Sequence, residues 1–196
     1  MTAALQTTAA ELELERSARG ATVWFTGLPS AGKSTIAHAL ADRLRAEGHR
    51  VQVLDGDEVR PHLSAGLGFT RADRDTNVVR IGWVAQLLAR HGVTVLVPVI
   101  APYADARQAV RQAHAEAGVP FAEVFVATSL AVAESRDVKG LYAKARQGEI
   151  TGMTGVDDPY EEPRSAELVL DTAEVDVDTS VELVSALLTA IREDQP

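Results

Sequence analysis

Gly27-Leu28-Pro29-Ser30-Ala31-Gly32-Lys33-Ser34, with Thr35 next, is the stretch of this 196-residue chain whose spacing speaks most directly of chemistry. It fits G-x-x-x-x-G-K-[ST], the loop that cradles the phosphates of a nucleoside triphosphate. The glycines let the backbone curl so that successive N–H groups face a phosphate, and the N-terminus of the helix that follows adds partial positive charge. Lys33 supplies a point charge to the β- and γ-phosphates, and the Ser34 hydroxyl is a Mg²⁺ ligand. A chance glycine-rich turn is the competing reading, and the flanks oppose it. Thr22 to Thr26 is a short β-rich run, and apolar residues recur at helical spacing from Lys33 to Ala46. The pattern specifies a triphosphate and leaves the reaction open. The chain has no Asn-Lys-x-Asp of a GTPase and no Ser-Gly-Gly signature of a transport ATPase, so a small-molecule kinase using ATP is the expectation.

A second candidate is Asp55-Gly56-Asp57, after the apolar run Val51 to Leu54. At that edge of a parallel sheet two carboxylates can hold Mg²⁺ and accept the proton of an attacking hydroxyl. The same residues also read as a plain turn with Asp57 as a helix N-cap. Arg60, Arg71, Arg74 and Arg80 follow closely, with Phe69 and Asn77 among them. Arginines clamp phosphate or sulfate oxygens bidentately, and an exposed aromatic can stack on a base. A solvated helix face, its arginines paired with Asp73 and Asp75, is the alternative. The chain has three lysines against sixteen arginines. Lys33 is in the phosphate loop, whereas Lys139 and Lys144 lie beside Arg136 and Arg146 in a stretch that reads as a lid able to close over the triphosphate.

The elements needed to position these residues follow from periodicity. A helix is expected over about 72–90, a buried strand over Val93 to Ile100, a helix over about 104–117, and a strand over Ala122 to Ala127. A short strand at Leu168 to Leu170 and a helix from about Thr179 to Arg192 complete an alternation that marks a parallel α/β sandwich. Asp137 to Pro163, rich in Gly, Pro and charge, breaks the alternation and reads as a mobile segment without regular structure. One domain over 21–196 is expected, with a flexible segment over 1–20.

Composition bounds the partners. A hydrophobic fraction of 46% suits a globular core, and a formal charge of -9 argues against nucleic acid and anionic membranes. No cysteine is present, so neither disulfides nor thiolate metal sites exist. Met1 to Gly20 holds no apolar run and carries Glu11, Glu13 and Glu15, unlike a secretory leader, and no stretch approaches a membrane span. A cytoplasmic protein is expected.

Taken in order, these segments resemble the adenylylsulfate kinase family. The resemblance rests on the phosphate loop, Asp55-Gly56-Asp57 with Arg60, Gly68-Phe69-Thr70 with Asp73-Arg74 and Asn77, and Pro102-Tyr103 with Arg107. It continues through Arg136-Asp137, Lys139 to Arg146, Gly148-Glu149-Ile150, Thr154-Gly155, Asp158 to Glu161 and Asp171-Thr172, covering roughly residues 20–191. It implies a P-loop kinase fold, a five-stranded, mostly parallel sheet flanked by helices, with Mg-ATP as phosphate donor, adenylylsulfate as acceptor, and a homodimer. Phe69 would stack on the acceptor's adenine, while Arg60, Arg74, Asn77 and Lys139 would hold its phosphosulfate and ribose. Arg136 would lie near the ATP base, and Asp57 would serve the 3′-hydroxyl as base or metal organiser. Ile100, Ala101, Met153 and Thr154 would complete the acceptor site.

Two positions depart from the family pattern. Ala101 stands where Ile-Ser-Pro-Tyr is common, which removes a phosphoserine and leaves direct transfer intact. Met153 stands where Phe-Thr-Gly is common, so a softer contact would replace one face of an aromatic clamp. Either change could also signal a different nucleotide or small alcohol as acceptor. A catalytically silent nucleotide-binding subunit is the reading from another class.

Overall fold

Residues 22–26 had to be buried on both faces to read as they do, and in the computed structural model, which describes residues 20–193, they are. β1 (Ala21–Thr26) is the central strand of a five-stranded parallel sheet of order β2-β3-β1-β4-β5. Its neighbours are β3 (Thr94–Pro98) and β4 (Phe121–Val126), and β2 (Val51–Val53) and β5 (Leu168–Leu170) form the edges. The parallel register puts the C-terminal ends of all five strands on one rim, where α/β sheets bind their ligands.

Helices cover both faces. α1 (Lys33–Ala46) lies on one face, where Ile36, Leu40 and Leu44 pack with Val23, Phe25, Leu96 and Val124. The last helix of the fold, Val177–Glu193, joins that core through Val184 and Leu188. On the other face Val78, Ile81 and Ala85 of a long helix, Arg71–Arg90, pack with Trp24, Val95, Val97 and Val110. Val110 belongs to the helix Ala104–Glu116. In chain order, helices α2 to α4 are Gly56–Leu63, Arg71–Arg90 and Ala104–Glu116. Helices α5 to α7 are Leu130–Arg136, Leu141–Arg146 and Val177–Glu193.

The expected strands and helices match their spans to within a few residues, but three short helices appear besides them. α2, α5 and α6 lie where no element was expected, and α6 corrects the reading of 137–163 as a segment without regular structure. Each is eight residues or fewer, too short for an apolar period to show. A third, small core explains the order of the segment: Tyr142 and Met153 pack on Ala133, with Leu28, Leu130 and Ile150 around them. The expected flexible N-terminus falls almost wholly outside the described residues. Among the described residues no helix is long and apolar enough to cross a membrane.

Candidate active site

The phosphate loop joins β1 to α1 with a backbone that needs its glycines. Gly27 has φ 149, and a Cβ there would lie 2.5 Å from the Val126 carbonyl oxygen. Gly32, at φ 104, is the residue before α1, so the N–H groups of the first turn face outward at the sheet rim. Lys33 is only 7% exposed, and its Nζ donates to the carbonyl oxygens of Gly27 (2.9 Å) and Leu28 (2.7 Å). Burial pushes its pKa down to about 7, a shift opposed by nearby Asp55 and reinforced by Lys139. Ala31 is fully buried behind the loop, where its carbonyl accepts from Thr172 (2.8 Å) and Thr128 (3.2 Å).

The two aspartates divide their roles. Asp55 is buried, with Oδ2 accepting from the Ser34 hydroxyl at 2.5 Å and Oδ1 accepting from the Asp57 backbone N–H at 3.0 Å. Asp55, not Asp57, is therefore the N-cap of α2, which corrects the turn reading of this motif. The Asp57 side chain makes no hydrogen bond to the backbone; it is 69% exposed and ion-paired with Lys139.

A cavity of about 640 Å³ runs past these groups along the sheet rim. Of the predicted residues it is lined by Pro29, Ser30, Gly32 to Thr35, Asp55, Asp57, Arg60, Phe69, Arg74, Asn77, Ile100, Ala101, Arg136 and Lys139. On one side of the loop Arg136 donates to Thr172 through both its hydroxyl (2.7 Å) and its carbonyl (2.8 Å), and Val175, Asp176 and Val177 continue the wall. On the other side Phe69 is 61% exposed, with the guanidinium carbon of Arg60 4.1 Å and that of Arg74 5.7 Å from its ring centroid. Arg74 is braced by the Phe69 carbonyl (2.9 Å), the Thr154 hydroxyl (3.0 Å) and the Gly152 carbonyl. Asn77 accepts from Ser64, a lining residue that no sequence signal marked. Thr172 was matched within Asp171-Thr172, without a role.

Several predicted residues stand elsewhere. Gly27, Leu28 and Ala31 support the loop from behind instead of lining the cavity, because their carbonyls or side chains face the protein. Thr154, 2% exposed, reaches the cavity only through Arg74. Met153 is 6% exposed and turned into the small core with Ala133 and Tyr142, so it is not a wall of the cavity. Phenylalanine at this position is accordingly expected to overpack that core. Met153→Phe should lower stability by about 1–3 kcal/mol, read as a fall in melting temperature, with no tighter acceptor binding. Of the cations in the presumed lid, only Arg136 and Lys139 line the cavity, and Arg146 is ion-paired with Glu134 at 2.8 Å. Arg71 pairs with Glu161 and Arg80 donates to the Leu63 carbonyl, and neither lines the cavity.

This arrangement puts a triphosphate loop, a metal-competent Ser/Asp pair, an unanchored carboxylate and an aromatic–arginine pocket along one cavity, which suits phosphoryl transfer between two bound nucleotides. Known proteins agree. A profile of the family described as adenylylsulphate kinase matches residues 19–171. The adenylyl-sulfate kinase of Synechococcus sp. (strain JA-3-3Ab) is 57% identical over 166 residues, 85% of this chain and 92% of that protein. The structure of the Mycobacterium tuberculosis APS kinase CysC in complex with AMPPNP and APS superposes with a TM-score of 0.84 at 49% identity, covering 87% of this chain and 98% of that one. A hexameric APS kinase from Thiobacillus denitrificans matches with a TM-score of 0.65 at 40% identity, over 94% of this chain and 32% of that one.

Proposed function

Because the chain belongs to the adenylylsulphate kinase family, we propose that it transfers the γ-phosphate of ATP to the 3′-hydroxyl of adenylylsulfate, giving 3′-phosphoadenylylsulfate and ADP. The observation that carries the reading is the single cavity in which Asp57 lies with both the phosphate loop and the Arg60–Phe69–Arg74 pocket. ATP takes the side of Arg136 and Thr172, its phosphates on the loop and Lys33. Adenylylsulfate takes the other side, its adenine on Phe69 and its anionic groups on Arg60 and Arg74. Asp57 accepts the proton of the 3′-hydroxyl as that oxygen attacks phosphorus, and the bond to the ADP oxygen breaks. Lys139 moves from Asp57 to the incoming anion, which frees the carboxylate for this task.

The Ser34 hydroxyl and the Asp55 carboxylate, 2.5 Å apart, are oxygen donors of the kind Mg²⁺ prefers, a cation that completes its shell with water and phosphate. These two residues would hold it, and when bound it would neutralise charge on the β- and γ-phosphates. Met153 and Ala101 were the two residues that left another acceptor open. Met153, buried away from the cavity, gives no such reason, whereas Ala101 lines it.

The deciding measurement is ADP release with Mg-ATP, with and without adenylylsulfate, and the product's mass. Release that needs the acceptor and yields a 3′-phosphorylated product is expected. A protein that binds ATP yet ignores adenylylsulfate would require another acceptor.

A pH dependence follows from Lys33. Above its pKa of about 7 the free protein holds the amine neutral, whereas a bound triphosphate favours the ammonium. Binding at pH 8 should therefore take up about one proton, and affinity should weaken by up to about tenfold per pH unit above 7. Calorimetry of ATP binding in buffers of different ionisation enthalpy reads the uptake directly, and its absence would contradict the assignment of Lys33.

The homodimer is part of the same proposal. Val79, Trp83 and Leu87 lie one helical turn apart on α3 and are 49%, 63% and 39% exposed, while the opposite face of the helix is in the core. Two copies of α3 crossing antiparallel at Trp83 set Val79 on Leu87 and bring Arg90 toward Asp73 and Asp75 near the start of the partner helix. Light scattering should give twice the chain mass, reverting to one in Trp83→Asp. A parent protein of single-chain mass sinks the idea.

A further inference from the structure

Ala101 has φ 42, a left-handed conformation that among the described non-glycine residues only Ser30 and Asp137 share. A strained residue of this kind persists only where its surroundings over-determine it. Here the main restraint is Arg107, which the proposed transfer does not use. It lies on α4 and is 4% exposed. One terminal nitrogen of its guanidinium donates to the Ala101 carbonyl at 2.7 Å, the other donates to the Glu161 carbonyl at 2.6 Å, and Nε is paired with Glu123 at 2.8 Å. Each arm of a planar fork thus holds a different segment of backbone, and a buried carboxylate holds the fork in aim.

The segments it joins both lead to the cavity. Ile100 and Ala101 line it, and the Thr26 hydroxyl donates to the Ile100 carbonyl at 2.6 Å. The other segment, Asp158 to Glu161, ends the small-core region and is stitched to the same turn: Glu161 N–H donates to the Pro102 carbonyl (2.8 Å), and the Tyr103 hydroxyl donates to Asp158 (2.9 Å). It also reaches the start of α3, through Arg71 to Glu161 (3.2 Å) and Arg74 to Asp158 (3.9 Å). Arg74 is itself a wall of the acceptor side. A guanidinium that never touches the cavity therefore sets the spacing between the turn at Ile100–Tyr103 and the arginine–aromatic pocket.

We propose that Arg107 is a positioning residue for the acceptor nucleotide: it holds Ala101 in its left-handed turn and locks the 158–161 segment against it. The proposal rests on the transfer reading above for which ligand is positioned, and on the geometry alone for what Arg107 holds.

Removing the buried charge outright would leave Glu123 with Arg111 alone (3.3 Å), so Arg107→Lys is the informative variant. It keeps a cation beside Glu123 but gives up the planar fork whose three nitrogens separately reach Ala101, Glu161 and Glu123. The KM for adenylylsulfate is expected to rise about tenfold or more, the loss of one charge-assisted hydrogen bond, with the KM for ATP unchanged. Adding Ala101→Gly to that variant should return the acceptor KM most of the way, because glycine takes positive φ without steric strain. A role confined to stability predicts neither the split between substrates nor the rescue. An unchanged acceptor KM, or both KM values rising together without rescue, overturns the proposal. A crystal structure of Arg107→Lys decides it independently of any substrate. Residue 101 leaving positive φ supports it, and an unmoved turn refutes it even if the parent protein proves to use a different acceptor.

Discussion

Lys33→Met is expected to reduce turnover by about 10³-fold or more in a protein that still folds. Methionine keeps the length and volume of the stem and removes only the charge. The ammonium sits beneath the phosphate loop, 7% exposed and hydrogen-bonded to Gly27 and Leu28, from where in the proposed transfer it would serve the β- and γ-phosphates. Charge developing on the transferring phosphoryl group then has no fixed cation at that point, and water cannot replace one without reorganising. Stability should move in the opposite direction. With the folded pKa near 7 and the unfolded one near 10.5, the unfolded chain binds the extra proton between those values, so the parent's stability rises with pH across that window. Below pH 7 the parent buries a full charge, and the melting temperature of Lys33→Met should exceed the parent's there. Loss of kcat together with an equal loss of stability would mean that Lys33 is a structural residue.

Asp57→Asn carries the second-largest expected effect, a fall in kcat of about 10²–10⁴-fold. The amide cannot accept the proton of the attacking hydroxyl, yet it fills the same space. Because the Asp57 side chain is 69% exposed and makes no hydrogen bond to the backbone, its replacement should leave the melting temperature unaltered. Asp55→Asn provides the contrast. It replaces the oxygen facing Ser34 with an amide while leaving an acceptor for the N-cap of α2, so it should raise the Mg²⁺ concentration needed for half-maximal rate with little change in stability. A raised Mg²⁺ requirement in Asp57→Asn, with none in Asp55→Asn, would exchange the roles assigned to the two carboxylates.

Periodicity carried the long elements. α1 spans Lys33–Ala46 and α3 spans Arg71–Arg90, close to what apolar spacing predicted, since each must present a face to a core. The phosphate loop was legible because its spacing is a backbone requirement, and Arg60, Phe69, Arg74 and Asn77 because charge and aromatic character cluster there on a chain that is acidic elsewhere. Membership of the family was legible for the same reason: many short motifs recur in one order.

Other features were settled by contacts between segments far apart in the chain. Which way Met153 points depends on Ala133 and Tyr142, and an irregular segment has no period from which to read a face. Asp55 and Asp57 look alike in the sequence, and they separate only when Ser34 comes up beside one and Lys139 beside the other. The lowered pKa of Lys33 is a product of burial, which no local pattern reports. Arg107 stood in the sequence as one residue of a matched stretch without a task, and the task proposed for it appears once Ala101 and Glu161, on either side of it by 6 and 54 residues, present their carbonyls to one guanidinium. Chemistry written as residue type and local spacing is readable along the chain. Chemistry that depends on which distant groups share a small, water-poor volume exists only after the chain has closed around it.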